Sequence, residues 1–232
     1  MDTTRVLIVD DHSILRMGLA SLIGTHKDIE VAGDADGGPA ALKKFMQLKP
    51  DVVIMDLVMP GMDGIETTRE IVSHQPDAKI LILTTFGTSD KIAAALRAGA
   101  LGAIMKNAAF PDLVKAIKTT ARGERYIADE IERIMEDDPP VQELSQRQLQ
   151  ILEQMVRGLS NHDISVSLGI SLDMVKEHAT SLFAKIGAAN RPEAVAIARH
   201  KQLVATGPQN QRQWLQRRPY STRKPLKQSG GP

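Results

Sequence analysis

The chain has no cysteine, only one Trp, two Tyr and four Phe among 232 residues, and no apolar run of bilayer-spanning length. Each absence excludes something. Without cysteine there is no disulfide framework and no thiolate metal site, which suits a reducing compartment. With so few aromatics the chain cannot build the stacking platforms that sequence-tolerant binding of single-stranded nucleic acid requires. The opening MDTTRVLIVD has neither the basic start nor the long apolar core of a secretory signal, so a cytoplasmic protein with no membrane partner is expected. A strong charge of one sign is also missing, since the net charge is +1. That balance conceals an asymmetry. From Gly207 to the end there are six basic residues (Arg212, Arg217, Arg218, Arg223, Lys224, Lys227) and no acidic one; setting those six aside leaves −5 for residues 1–206.

What is present falls into two patterns. Apolar runs at 5–9, 29–33, 52–55, 79–83 and 100–105 read as strands, and helically spaced apolar residues separate them: Ile14, Leu15, Leu19, Leu22 and Ile23, then Ala41, Leu42, Phe45 and Met46, and later Leu113, Val114 and Ile117. Strands alternating with helices predict an α/β doubly wound, five-stranded parallel sheet over residues 1–126, because parallel strands need helical crossovers. Residues 127–143, with an acidic start and a Pro-Pro break, read as a linker. No strand signal returns after it. Over 144–206 the spacing predicts an all-α unit of four helices. Leu149, Leu152, Met155 and Val156 form the first stripe; Ser160 or Asn161 caps a short second helix; Gly169 turns the chain; Ser171 caps the third; the fourth covers 192–204. Two helices joined by a tight Gly-containing turn are the helix-turn-helix signature. The polar, basic segment 207–232 is expected to be disordered, either as a solubility tail or as a source of sequence-independent phosphate contacts.

Within the first pattern, DVVIMDLVMPGMDG (51–64) poses a question: an apolar run stops at Asp56 with a proline and glycine turn just beyond. Val52 to Met55 read as a strand buried on both faces, and Asp63 caps a following helix that carries Ile65 and Ile71. Asp56 therefore stands at the carboxyl end of a buried strand, where open parallel sheets collect ligand chemistry. Asp10 and Asp11 end the first strand, Thr84 and Thr85 the fourth, and Lys106 the fifth. Taken singly, each has a structural reading as a cap, a strand end or a solvated charge. Together they place three carboxylates, a hydroxyl and an ammonium in one pocket. Clustered carboxylates repel unless a cation neutralises them. Mg²⁺ suits such a site, and the set suits phosphoryl transfer to a carboxylate nucleophile, Asp56.

These residues lie in longer matches. Through VLIVDDH, PDVVIMDLVMPGMDGIE, ILILTTF and AGALGAIMK the first ~125 residues resemble a response-regulator receiver domain. Through LSQRQLQIL, GLSNHDIS, LGISLDMVKEH and IGAANRPEAV, residues 144–200 resemble the LuxR-type DNA-binding domain. The pairing resembles the NarL/FixJ type of two-component response regulator. That resemblance implies a flavodoxin-like receiver in which Asp56 is the phosphoacceptor. Asp11 would be a direct Mg²⁺ ligand, Asp10 one acting largely through water, and the Val58 carbonyl a further ligand. Thr84 and Lys106 would bind the phosphoryl oxygens. It also implies a sensor histidine kinase as donor, double-stranded DNA as target, a homodimer on paired half-sites, and no enzymatic turnover. In the third helix of the second unit Lys176, Glu177 and Thr180 are the candidates for base edges, and Lys185, Asn161 and helix-terminal amides for phosphates. His178 is a DNA contact or a packing histidine.

The chain departs from the family pattern at several positions. Ala103 stands where an aromatic switch residue is usual, Gln148 where Glu is usual, and Val58 and Phe86 are apolar where receivers often place an attacking water. Activation is therefore expected to pass through the loop after the fourth strand, including Phe86, and loss of the phosphoryl group to be slow. Two other functions compete with this reading. One is a phosphate sink or adaptor without DNA binding; the other is a Mg²⁺-dependent aspartyl phosphatase, against which Val58 stands where those enzymes carry an acid. The six histidines show no ligand spacing, and the ten methionines read as core filler.

Overall fold

In the computed structural model the described residues are 3–85 and 88–204. Phe86 and the basic segment 207–232 lie outside them. The chain divides between Gln142 and Glu143 into two compact units.

The first unit is a parallel sheet of β1 (Thr4–Val9), β2 (Ile29–Ala35), β3 (Val52–Met55), β4 (Ile80–Thr84), β5 (Gly102–Met105) and β6 (Tyr126–Ile127), in the order β2-β1-β3-β4-β5-β6. Its helices are α1 (Ser13–Ile23), α2 (Gly38–Leu48), α3 (Gly64–His74), α4 (Ser89–Arg97), α5 (Phe110–Ala121) and α6 (Asp129–Asp137). The strands read as apolar runs because both sheet faces are covered. In β3, Val53 and Met55 join one core with Phe45, Ile71 and Ile92 from α2, α3 and α4. Val52 and Ile54 join the other with Leu19, Ile23 and Ile117 from α1 and α5.

Two expectations change. The sheet has six parallel strands rather than five, because Tyr126–Ile127 pairs with Gly102–Ala103. That pairing depends on Gly102: a Cβ there would lie 2.4 Å from the Tyr126 carbonyl oxygen. Of the stretch 127–143 expected as linker, residues to Asp137 are strand and helix on the first unit, and Ile131 is fully buried in its core. In α1 only Leu19 and Ile23 are buried, while Ile14 is 81% exposed and Met17 and Leu22 lie at the surface.

The second unit consists of α7 (Gln146–Val156), α8 (Asn161–Leu168), α9 (Leu172–Ile186) and α10 (Arg191–His200). Ser145 and Ser160 each form a capping box, with Gln148 and Asp163, and Ser171 caps α9. Gly169 ends α8 at φ 64°, the left-handed conformation that a tight turn between two helices uses. The buried stripe of α7 is Gln148, Ile151, Leu152 and Met155; Leu149, expected inside, is 37% exposed. A polar residue on the core face disguised the helix phase. Among the described residues no helix is long and apolar enough to cross a membrane.

Candidate functional site

The sheet order reverses direction between β1 and β3, which opens a crevice at their carboxyl ends. Val9 and Met55 are register partners, so the residues that follow them, Asp10 and Asp56, emerge side by side. The Asp56 amide donates to the Val9 carbonyl at 2.8 Å and fixes where that side chain starts. On the other flank Thr84 pairs with Met105, and the Lys106 amide donates to the Thr84 carbonyl at 2.7 Å. Asp10, Asp56 and Thr84 are all buried. Behind Asp56 the first turn of α3 comes so close that a Cβ on Gly64 would sit 2.0 Å from the Asp56 carbonyl oxygen. Asp63 caps that helix by accepting from the Glu66 amide at 2.8 Å.

Lys106 crosses the crevice. Its Nζ lies 2.9 Å from Asp56 Oδ2 and 2.5 Å from Asp10 Oδ2, and its side chain is 8% exposed. Burial alone would lower the Lys106 pKa, but the contacts with Asp10 and Asp56 outweigh it and hold the ammonium above its ordinary value. Burial pushes the Asp56 carboxyl above the usual carboxylate range, and the neighbouring Asp10 charge adds to that, against the pull of Lys106 and the Val58 amide. The site therefore keeps its cation and ionises Asp56 reluctantly.

Asp11 lies on the rim. Ligand atoms of Asp10, Asp11, His12 and Asp56 all fall within 4.8 Å of one another. Asp10 Oδ2 and Asp11 Oδ1 are buried without an aligned hydrogen-bond donor, although Lys106 Nζ and His12 Nδ1 approach them. Oxygen-rich, under-satisfied and anionic, this donor set fits a hard divalent cation. Sequence reasoning missed two residues here. His12 joins the acidic group, its Nδ1 2.8 Å from Asp11 Oδ1. Arg16 donates to the Asp10 carbonyl at 2.6 Å and to Asp34 Oδ2 at 2.9 Å, bracing the end of β1 against β2. Val58 is 52% exposed beside the site.

In the second unit, Lys176, Glu177 and Thr180 share the exposed face of α9, opposite the buried Val175, Ala179 and Leu182. Lys176 Nζ is 3.1 Å from Asp173 Oδ1, and the Thr180 hydroxyl donates to the Lys176 carbonyl at 3.0 Å. His178 is half-buried. Asn161 Oδ1 accepts from Arg191 at 3.3 Å. Lys185 is engaged within the unit: its Nζ bonds the Glu143 carbonyl at 2.8 Å and Gln148 Oε1 at 3.0 Å. Gln148, 3% exposed, also donates to Ser181 Oγ at 3.1 Å, so it ties α7 to α9.

Residues 6–118 match the response regulator receiver domain family, and residues 142–198 match the bacterial regulatory proteins of the luxR family. Over 208 residues the chain is 36% identical to the transcriptional regulatory protein LiaR of Bacillus subtilis, covering 86% of this chain and 99% of that one. The chain belongs to the NarL/FixJ-type response regulators. It is also 34% identical over 207 residues to the response regulator protein VraR of Staphylococcus aureus, covering 87% and 99% of the two chains. Among solved structures it resembles the response regulator RcsB in complex with DNA, with 25% identity, a TM-score of 0.62, and coverage of 85% and 98%. The regulator is thus a receiver followed by a DNA-binding LuxR-type helix-turn-helix unit that acts in transcription. Its family is one of transcription regulators, not of enzymes, which sets aside the phosphatase and adaptor readings. The acidic cluster is of the kind that holds Mg²⁺ at receiver phosphorylation sites.

Proposed function

We propose that a sensor histidine kinase phosphorylates the regulator on Asp56, and that this switches dimeric binding to double-stranded DNA. The observation that carries this is Lys106 Nζ bridging Asp10 and Asp56 at the switch point of the sheet. A carboxylate oxygen of Asp56 attacks the phosphorus of a phosphohistidine; the P–N bond breaks as the P–O bond forms, leaving an acyl phosphate. Asp11, Asp10, Asp56 and the Val58 carbonyl would hold Mg²⁺, which supplies positive charge for the transferring phosphoryl oxygens. Lys106 trades its carboxylate contacts for a phosphoryl oxygen, and the buried Thr84 hydroxyl donates to another. The first turn of α3 holds Asp56 in place throughout.

A donor protein must reach this crevice, and the surface beside it suits one. An apolar groove of about 510 Å³ runs from Lys106 along Ile14, Leu15, Leu22, Phe110 and Leu113. In the DNA-binding half we assign Lys176 and Glu177 to base edges, with guanine and cytosine as their natural partners, and Thr180 beside them. Asn161 and the amide end of α8 take a phosphate. His178 supports the helix more than it reaches DNA, and Lys185 positions α9. RcsB dimers have been solved bound to DNA, which supports a dimer on paired half-sites. The working division of the chain is a receiver (1–126) extended by the short strand and helix that follow it to Asp137, a linker over the rest of 127–143, a DNA-binding unit (144–206) and a basic tail (207–232), in a cytoplasmic protein.

Selection from random duplexes tests this. Protein treated with Mg²⁺ and a small phosphodonor is expected to enrich a two-fold symmetric motif and to bind it more tightly than untreated protein or Asp56→Asn. Equal enrichment by all three would overturn the switch.

A further inference from the structure

The usual aromatic switch position is occupied here by Ala103, which is fully buried. What lies over it is the chain's own continuation. The Ala128 amide donates to the Ala103 carbonyl at 3.0 Å, Ile127 is the register partner of Ala103, and Ile131 of α6 enters the same apolar core as Ala103 and Ile92. Ala103 thus shares its strand edge and its apolar core with the segment leading to the DNA-binding unit.

That segment has a second anchorage. After α6 the backbone runs to the start of α4. There the Val141 amide donates to Asp90 Oδ1 at 2.7 Å, and the Ser89 hydroxyl makes a longer bond, 3.4 Å, to Asp138 Oδ2. Ser89 and Asp90 are both buried, unusual for polar residues in the first turn of a helix. A buried carboxylate accepting from a backbone amide is a strong, directional bond. Thr88 caps this helix by accepting from the Lys91 amide at 3.4 Å, which ties the first turn to the residue before it. It begins five residues after Thr84, the hydroxyl at the phosphorylation site.

We infer that residues 138–141 form a strap which reports the state of Asp56 to the DNA-binding unit: held on the first turn of α4 before phosphorylation, and let go when that turn moves. The inference rests on the proposed phosphorylation of Asp56. Movement of Thr84 toward a phosphoryl group is expected to reach Ser89 and Asp90, five and six residues further on. A 2.7 Å bond tolerates little displacement before it weakens steeply. Release of the Val141 amide leaves α6 seated through Ile131, Ile134 and Met135, and the second unit gains reach.

Hydrogen exchange on the full chain tests this, with intact mass measured on the same samples. Val141→Pro removes the amide that donates to Asp90 Oδ1, changes no residue of α4, and extends an existing Pro-Pro pair. In the wild type, Mg²⁺ with a small phosphodonor is expected to raise exchange of the α6 and strap amides roughly fivefold, the scale of one net hydrogen bond. Val141→Pro is expected to show that rise without the phosphodonor, and Asp90→Asn, whose amide oxygen still accepts, to behave as the wild type. One added phosphoryl group with unchanged exchange at Val141 and over 130–138 would overturn the strap. So would wild-type protection in Val141→Pro, a comparison that needs no phosphoryl group. Failure of the Asp56 reading is told apart by mass alone.

Discussion

Lys106 decides how the proposed phosphorylation site behaves before any donor arrives. It compensates two buried carboxylates with one charge, so the pocket stays short of positive charge and Asp56 is held above its ordinary pKa, chiefly by burial. A carboxyl raised in the folded state contributes stability below its unfolded pKa and loses it as pH rises through the folded value. In metal-free buffer at neutral pH, Asp56 therefore costs stability. Asp56→Asn is expected to be more resistant to urea than the wild type at pH 7 without Mg²⁺, and the difference to shrink toward pH 4; equal midpoints at pH 7 would contradict this. In the proposed cycle Val58 bears on a later step. Its apolar, half-exposed side chain gives an attacking water no hydrogen bond, so the phosphoryl group should be long-lived. Val58→Asn is expected to shorten the lifetime of the acyl phosphate, followed by mass over time; an unchanged or longer lifetime would rule the idea out.

At the level of elements, the site depends on how closely α3 can approach the end of β3. Gly64 permits that approach because everything a Cβ would strike is backbone of Asp56 and Leu57. Gly64→Ala is expected to cost about 3 kcal/mol or more in urea unfolding, since backbone cannot step aside as a side chain can, and to slow phosphoryl uptake in the fraction still folded. Much of this layer was legible in the sequence. Asp63 reads as a cap three residues before Glu66, Gly169 as a turn and Ser171 as a cap, because caps and turns are local chemistry. Asp56 was legible because a run buried on both faces must surface somewhere. What stayed hidden is non-local. Tyr126–Ile127 is too short to show a strand pattern and exists as one only because β5 offers Gly102 as a seat. The Arg16 brace joins residues 6 and 18 positions apart in sequence. Gln148 showed in the sequence only as a departure from the usual Glu, and its partners Ser181 and Lys185 come from α9.

That last contact changes what two lysines should do when removed. Lys176→Ala lies on an exposed face and is expected to leave unfolding unchanged, while weakening discrimination at one base pair by about 1–3 kcal/mol. Lys185→Ala breaks two bonds between α9 and the start of its own unit. It is expected to lower stability by roughly 1–2 kcal/mol and to weaken binding to all duplexes alike. Urea titration beside a competition assay with single-base variants separates the two; loss of base preference in Lys185→Ala with stability intact would reverse the assignment.

Across the whole molecule, a receiver and a helix-turn-helix unit in one chain make sense only if the chemistry of the first changes the behaviour of the second. In the proposed switch, everything downstream depends on one covalent event at Asp56. The most direct test is the intact mass of the full chain after incubation with Mg²⁺ and a small phosphodonor, beside Asp56→Asn. The regulator is expected to gain one phosphoryl group and the variant none. No adduct on the wild type, under conditions where another receiver reacts, or the same adduct on Asp56→Asn, would contradict the account.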